Sequence, residues 1–333
     1  MEKPLIIAEA GVNHNGDLLT ALRLIDTASS AGADYIKFQT FKAESLVTHN
    51  SETADYQKEN CGESSQLEML RKLELSFDDF KRIAAYCHEK EIGFLSTPFD
   101  FESIEFLDSM NMDFFKIPSG EIDNFPYLEK IALTGKPVII STGMATPEEI
   151  ADCLEIFYNK GYSKDKITLL HCTTQYPAPL KDVNLRAMIT LRETFGISTG
   201  YSDHTKGIEV AVAATALGAK IIEKHFTLSR AMEGPDHKAS LEPQELSKMI
   251  EEINNVALAL GDGIKRIAES EKLNRRVARK SIVAAKFIKK GEIFTESNLT
   301  VKRPGTGLSP KLWHNILGKV SDRDYKPDQL IVF

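Results

Sequence analysis

The chain has 333 residues, 42% hydrophobic and 27% charged, with 20 Gly and 13 Pro, a composition that excludes a disordered, collagen-like or low-complexity chain. Its 41 Lys and Arg against 48 Asp and Glu leave a formal charge of −7, so there is no basic footprint for nucleic acid or an anionic membrane, and an acidic substrate would need cations gathered at one place. Cys61, Cys87, Cys153 and Cys172 stand far apart with no C-x-x-C pair, the usage expected of reduced thiols in the cytoplasm.

The opening run MEKPLIIAEAGVNHNG turns polar after one short apolar stretch, unlike a signal peptide. No apolar stretch approaches the roughly 18 residues of a membrane span, so a cytoplasmic protein is expected. From there to about residue 260, short β-branched runs alternate with longer helical patterns, the signature of βα units around a parallel sheet. Strands are expected at 5–8, 34–38, 93–96, 114–117, 138–141, 168–171, 198–201 and 220–223, and helices over 18–32, 76–90, 146–161 and 208–219. These units fit an α/β fold of the (β/α)8 TIM barrel type, which takes about 250 residues. An open doubly wound sheet is the alternative, but its G-x-G-x-x-G turn is missing after the first strand.

Between the second and third strands, the polar stretch 42–66 reads as a long loop above the barrel mouth, where long loops usually carry function. The charged stretch 264–280 is followed by short strands and Gly/Pro turns. The expected organisation is therefore a barrel over 1–265, a linker over 266–280 and a small β-rich domain over 281–333. A unit that small has a thin core and gains stability by docking.

Catalytic groups of such barrels come from the C-terminal ends of the strands, so each strand can be tested by what ends it. In chain order the ends carry Glu9 with Asn13 and His14; Lys37 and Gln39; Ser96 and Thr97; Lys116, Ser119 and Glu121; Ser141 and Thr142; His171, Thr174 and Tyr176; Ser202, Asp203 and His204; and Glu223, Lys224 and His225. Any one of these could be a helix cap or a loop hydrogen bond. Their convergence on one face points to a site.

His204 and His225 follow adjacent strands and suit a Mn2+, Mg2+ or Zn2+ ion that polarises a carbonyl, with a hydrogen-bonded histidine pair as the alternative. Lys37 and Lys116, with Ser119, Thr97, Ser202 and Thr174, would make a pocket of cations and hydroxyls for a phosphate or carboxylate. A lysine here could instead form a Schiff base or a salt bridge with Glu9 or Glu121. Those two carboxylates could act as acid and base or merely orient neighbours. The residues thus read as a metal-polarised carbonyl beside an anionic co-substrate, for carbon–carbon bond formation or an isomerisation.

The motifs IIAEAGVNHNG, KFQTFKA, STPFD, KIPSGE, STGMA, HCTTQYPAP, GYSDHT, EKHFTL and GPDHKASLEP, followed by RKSIVAAKFIKKGE and VKRPGTG, resemble the sialic acid synthase family in order and over the whole chain. The resemblance implies an N-terminal TIM barrel and a C-terminal domain similar to type III antifreeze proteins (SAF). It also implies condensation of phosphoenolpyruvate with an N-acetylated mannosamine-type aldehyde, giving a nine-carbon 2-keto acid and phosphate. His204 and His225 match the family's metal ligands, with Mn2+ expected first and Mg2+ or Co2+ as alternatives. Lys37, Thr97, Lys116, Ser119 and Ser202 match positions that bind phosphoenolpyruvate, and Thr174 stands where some relatives have Asn. Glu9, Gln39, Tyr176 and Asp236 match the sugar side, and Glu121 a carboxylate managing water or a proton. Arg303 matches an arginine given to a neighbouring subunit's site, which implies a domain-swapped homodimer.

Two sugars fit these motifs. N-acetylmannosamine would give N-acetylneuraminate, the main expectation, and a 2,4-diacetamido-2,4,6-trideoxy sugar would give N,N'-diacetyllegionaminate. A Schiff-base aldolase and a non-enzymatic ice- or carbohydrate-binding module are the competing classes.

Overall fold

The computed structural model describes residues 3–49, 51 and 65–332, which fall into two units, Met1–Asp262 and Gly263–Phe333. The first is built on eight parallel strands: β1 (Leu5–Gly11), β2 (Tyr35–Thr40), β3 (Gly93–Pro98), β4 (Phe115–Ile117), β5 (Val138–Ser141), β6 (Ile167–His171), β7 (Ser198–Asp203) and β8 (Ile221–His225). They hydrogen-bond in the order β3-β2-β1-β8-β7-β6-β5-β4. Because β3 and β4 lie side by side at the two ends of that order, the sheet curls into a nearly closed TIM-type barrel.

Five strands, β1, β2, β3, β7 and β8, run two or three residues beyond the apolar runs that mark them in the sequence. Pairing continues because alternate side chains there point into the barrel rather than toward the helices. Below this polar rim the interior is apolar. Ile7, Leu95, Ile139, Leu170 and Ile221 are all buried, and a side chain of that kind contributes about 1.5–3 kcal/mol on leaving water. Gly200 completes this floor by having no side chain: a Cβ there would come within 2.4 Å of the Ile221 carbonyl and 2.7 Å of Leu170 Cδ2.

Local signals set the surrounding helices. Asp17 caps Leu18–Ala31 by accepting from Thr20 N–H, and Gly32 ends it at φ +84°, a conformation glycine adopts without strain. Ser76 and Asp79 form a capping box before Phe77–Glu89, as do Thr146 and Glu149 before Pro147–Asn159; each satisfies amide groups the helix leaves unpaired.

The interval expected to be a polar loop is partly ordered helix. Ala43–Leu46 and Gln66–Leu73 are helical, and Val12, Phe41, Ala43, Leu67, Met69, Leu70 and Leu73 form a buried cluster. The apolar face of Gln66–Leu73 is legible in its leucine spacing but is short enough to be lost among polar neighbours. Residues 50 and 52–64 of the expected loop, Cys61 among them, lie outside the described residues.

In the second unit, β9 (Ser281–Ala284) pairs antiparallel with β10 (Leu299–Lys302). Its core gathers Ile282, Ala284, Ile288, Phe294, Leu299, Ile316, Tyr325 and Ile331. The stretch read as a linker contains a helix, Glu271–Ala278. No helix among the described residues is long and apolar enough to cross a membrane.

Candidate active site

The rim residues enclose a cavity of about 160 Å³ at the C-terminal ends of the strands. Of the residues singled out in the sequence, Glu9, Lys37, Gln39, Thr97, Lys116, Ser119, Thr174, Tyr176, Ser202, His204 and His225 line it, together with Phe99, Pro118, Gly120, Ser141 and Glu223.

Its deepest layer is ionic. Lys37 Nζ lies 2.6 Å from Glu9 Oε2 and 3.8 Å from Glu223 Oε2, and donates to Thr97 Oγ1 at 2.9 Å. Lys116 Nζ donates to Ser141 Oγ at 2.8 Å and lies 3.6 Å from Glu223 Oε1. Glu223 therefore stands between two buried ammonium groups and also accepts from Ser202 Oγ at 2.8 Å. Burial alone would raise its pKa, but Lys116 and Lys37 outweigh it and hold the carboxyl down at about 2. For Glu9, burial wins over the attraction of Lys37, and with Glu223 nearby its pKa rises to about 7. Burial works against the charge of Lys37, yet Glu223 and Glu9 keep its pKa above the ordinary lysine value. Lys116, less closely paired, is lowered by burial.

One wall is a set of small polar groups. The Gly143 N–H donates to Ser119 Oγ at 3.0 Å, and that hydroxyl lies 3.3 Å from Cys172 Sγ. Thr174 Oγ1 is buried with no hydrogen-bond partner. A Cβ on Gly143 would stand 2.2 Å from Thr174 Oγ1 and 2.9 Å from both Ser119 Oγ and Cys172 Sγ, so glycine is required here by space. Two lysines and this row of hydroxyls offer a dianion charge-assisted donors from several sides.

The two histidines lie near each other in the same cavity, ring centres 5.7 Å apart and tilted by 59°. His204 Nδ1 donates to the Thr173 carbonyl at 2.8 Å, leaving Nε2 as a lone-pair nitrogen 3.2 Å from Tyr176 OH and 3.4 Å from Ser202 Oγ. Burial lowers its pKa to about 4 and pushes that of His225 well below the ordinary value. Both rings are thus neutral near pH 7 and have electron pairs to offer. His225 Nδ1 is buried without a hydrogen bond, 4.0 Å from Asp236 Oδ2, and burial raises the Asp236 carboxyl to about 6.

Three expected site residues lie outside the cavity lining. Asp236 stands behind His225, as above. Glu121 accepts from Asn124 Nδ2 at 2.6 Å and lines an adjoining recess with Asn124, Tyr127 and Asp100; Phe99 lines both spaces. Arg303 belongs to the second unit, where its Nε donates to the Ala278 carbonyl at 3.0 Å.

Compared with known proteins, residues 24–265 match the model of the NeuB family. The chain belongs to the NeuB family. Residues 279–333 match the SAF domain. Among its relatives, this NeuB-family chain is 52% identical to the N,N'-diacetyllegionaminic acid synthase of Campylobacter jejuni, with 99% of each chain covered. It is 46% identical to the protein of the same name from Legionella pneumophila, with 94% of this chain and 89% of that one covered. A crystal structure of N-acetylneuraminic acid (sialic acid) synthetase from Leptospira borgpetersenii, in complex with citrate, is similar at 38% identity and a TM-score of 0.73, covering 82% of this chain and 90% of that one.

Ser141 and Glu223 also line the cavity of this NeuB-family barrel, although the sequence marks them only as strand ends and gives them no role. A signal for Glu223 existed. It precedes His225 by two residues on β8, so any reading that turns the imidazole inward turns this carboxylate inward as well.

Proposed function

We propose that this protein is a nonulosonic acid synthase that condenses phosphoenolpyruvate with the open-chain aldehyde of 2,4-diacetamido-2,4,6-trideoxymannose, giving N,N'-diacetyllegionaminate and phosphate. The observation that carries the reaction type is the pairing of two buried lysines with a row of hydroxyls in one small cavity beside two neutral imidazoles. The choice of sugar rests on relatedness. The two synthases named for diacetyllegionaminate are 52% and 46% identical, whereas the N-acetylneuraminic acid synthetase is 38% identical. The expected product N-acetylneuraminate accordingly gives way to the legionaminate alternative.

In this reading Lys37, Lys116, Thr97, Ser119 and Ser202 hold the phosphate and carboxylate of the enol ester, and Glu223 keeps both lysines charged and in place. Carbon 3 of the enol attacks the aldehyde carbon, forming the new C–C bond, while the aldehyde oxygen gains a proton. Water then adds at C2, and phosphate leaves with the bridging oxygen by C–O cleavage. Glu9, with its pKa raised to about 7, can hold or release a proton at neutral pH and, with Gln39 beside it at 3.4 Å, faces the sugar. Lys37, held charged by two carboxylates, suits an anion contact better than a Schiff-base nucleophile.

The donor set fits a divalent cation. Two neutral imidazoles 5.7 Å apart include an orphaned buried nitrogen on His225, and among the described residues no third His, Cys, Asp or Glu completes a closed cage. His204 and His225 would hold the ion with positions left open, and when bound it would polarise the aldehyde oxygen.

The deciding experiment measures phosphate release from phosphoenolpyruvate in the presence of Mn2+, with the 2,4-diacetamido-6-deoxy sugar set against N-acetylmannosamine. Faster turnover of the former is expected. A preference for N-acetylmannosamine would return the product to N-acetylneuraminate, and no phosphate release with either sugar would overturn the reading.

A further inference from the structure

On the far face of the strands that carry the two histidines lies an ion pair the chemistry above does not use. Lys224 Nζ is 2.8 Å from Asp203 Oδ2, and the two side chains are 1% and 0% exposed. Burying both charges carries a desolvation cost that their attraction barely offsets, so a pair of this kind is weak evidence for stability. What it does fix is position.

The β7–β8 ladder ends with Asp203 opposite Lys224, and His204 and His225 each come one residue later, beyond its last register. The His204 carbonyl accepts from Ala178 N–H at 2.8 Å and the His225 carbonyl from Leu241 N–H at 2.9 Å. These anchors are on separate loops and hold neither histidine relative to the other. The ion pair links the two. Asp203 Oδ1 accepts from Thr205 N–H at 2.9 Å and from its hydroxyl at 2.7 Å, while Lys224 Nζ donates to the Thr205 carbonyl. Asp203 and Thr205 thereby close a loop around His204, and the ammonium that ties both belongs to the residue before His225.

We propose that Asp203, Thr205 and Lys224 are positioning residues that fix the spacing of His204 and His225 and so set their affinity for a divalent cation. The inference rests on the reading of the two imidazoles as cation ligands.

The test is Mn2+ titration of the full chain without substrate, followed by the electron paramagnetic resonance of free Mn2+, with phosphoenolpyruvate affinity measured separately in metal-free protein. Thr205→Val keeps both charges and removes only the hydroxyl tie; Lys224→Met removes the clamp. Their Mn2+ dissociation constants should rise about fivefold and about 10–100-fold, the range seen when groups supporting metal ligands are lost. Lys224→Arg should recover most of the loss. Phosphoenolpyruvate affinity of Thr205→Val should stay within about twofold of the parent, because this face does not touch the anion cavity.

Unchanged Mn2+ affinity in Thr205→Val, or equal weakening for Mn2+ and phosphoenolpyruvate, overturns the proposal. If Lys224→Met does not fold, Thr205→Val decides alone. A parent protein whose Mn2+ binding is absent, or survives His204→Ala, overturns the cation reading and this inference with it, an outcome distinct from normal parental binding with unaffected variants.

Discussion

Glu9 and Lys37 are direct partners across the β1–β2 register, with 2.6 Å between carboxylate and ammonium, yet burial still raises the pKa of the acid to about 7. The folded state therefore keeps a proton that the unfolded chain has released above its ordinary value of 4.5. The contribution of Glu9 to stability is fully present below that value and is lost as pH rises through about 7. In Glu9→Gln, which has no such proton to lose, melting temperature relative to the parent should improve on going from pH 5 to pH 8. An identical difference at both pH values would contradict the raised pKa.

Removing the carboxylate between the two lysines should be costly. Glu223→Gln leaves Lys116 without a countercharge and Lys37 with Glu9 alone, and breaking a buried pair from one side costs about 3–5 kcal/mol. Combining it with Lys116→Met should cost less than the sum of the single changes, since one uncompensated charge disappears. Urea denaturation of the parent, the two single variants and the double variant measures this; strict additivity would mean that Glu223 and Lys116 do not act on each other.

The space at Gly143 predicts a separable effect on the anion. Gly143→Ala pushes a methyl group against Thr174, Ser119 and Cys172 and should raise KM for phosphoenolpyruvate about tenfold or more, near the loss expected of one charge-assisted hydrogen bond. KM for the sugar should change little. Adding Thr174→Ala removes the 2.2 Å conflict and should restore part of the affinity. Parental kinetics in Gly143→Ala would show that this wall does not touch the anion.

His204→Ala and His225→Ala should each abolish Mn2+-dependent phosphate release while circular dichroism and phosphoenolpyruvate binding remain. Both rings sit at the mouth, above the floor formed by Ile7, Leu95 and Ile221, so neither is needed for the core. Turnover retained by both variants would remove the cation from the proposed chemistry.

Much of the barrel was legible because its strands are apolar runs separated by well-capped helices, a pattern that periodicity detects. The ends of β1, β2, β3, β7 and β8 were less so, because there the inward side chains are polar: Glu9, Gln39, Thr97, Ser202 and His225 fall just past the apolar runs and look like loop residues until the lumen they face is known. Eleven cavity residues could be named from strand ends and family motifs. The central role of Glu223 could not, because it arises from Lys37 and Lys116, which are remote in sequence and meet only when the sheet closes. The same holds for the outer pair Asp203–Lys224, and for Gly143, whose importance lies in a contact with Thr174 rather than in its backbone angle.

The depth of the lysines has a kinetic consequence for the proposed reaction. Glu223, which stands between Lys37 and Lys116, comes two residues before His225 on β8 and so faces inward one layer below it. A sugar aldehyde held at His225 would lie over the lysines, so ordered addition is expected, the small anion first, with the nine-carbon chain withdrawing before phosphate follows.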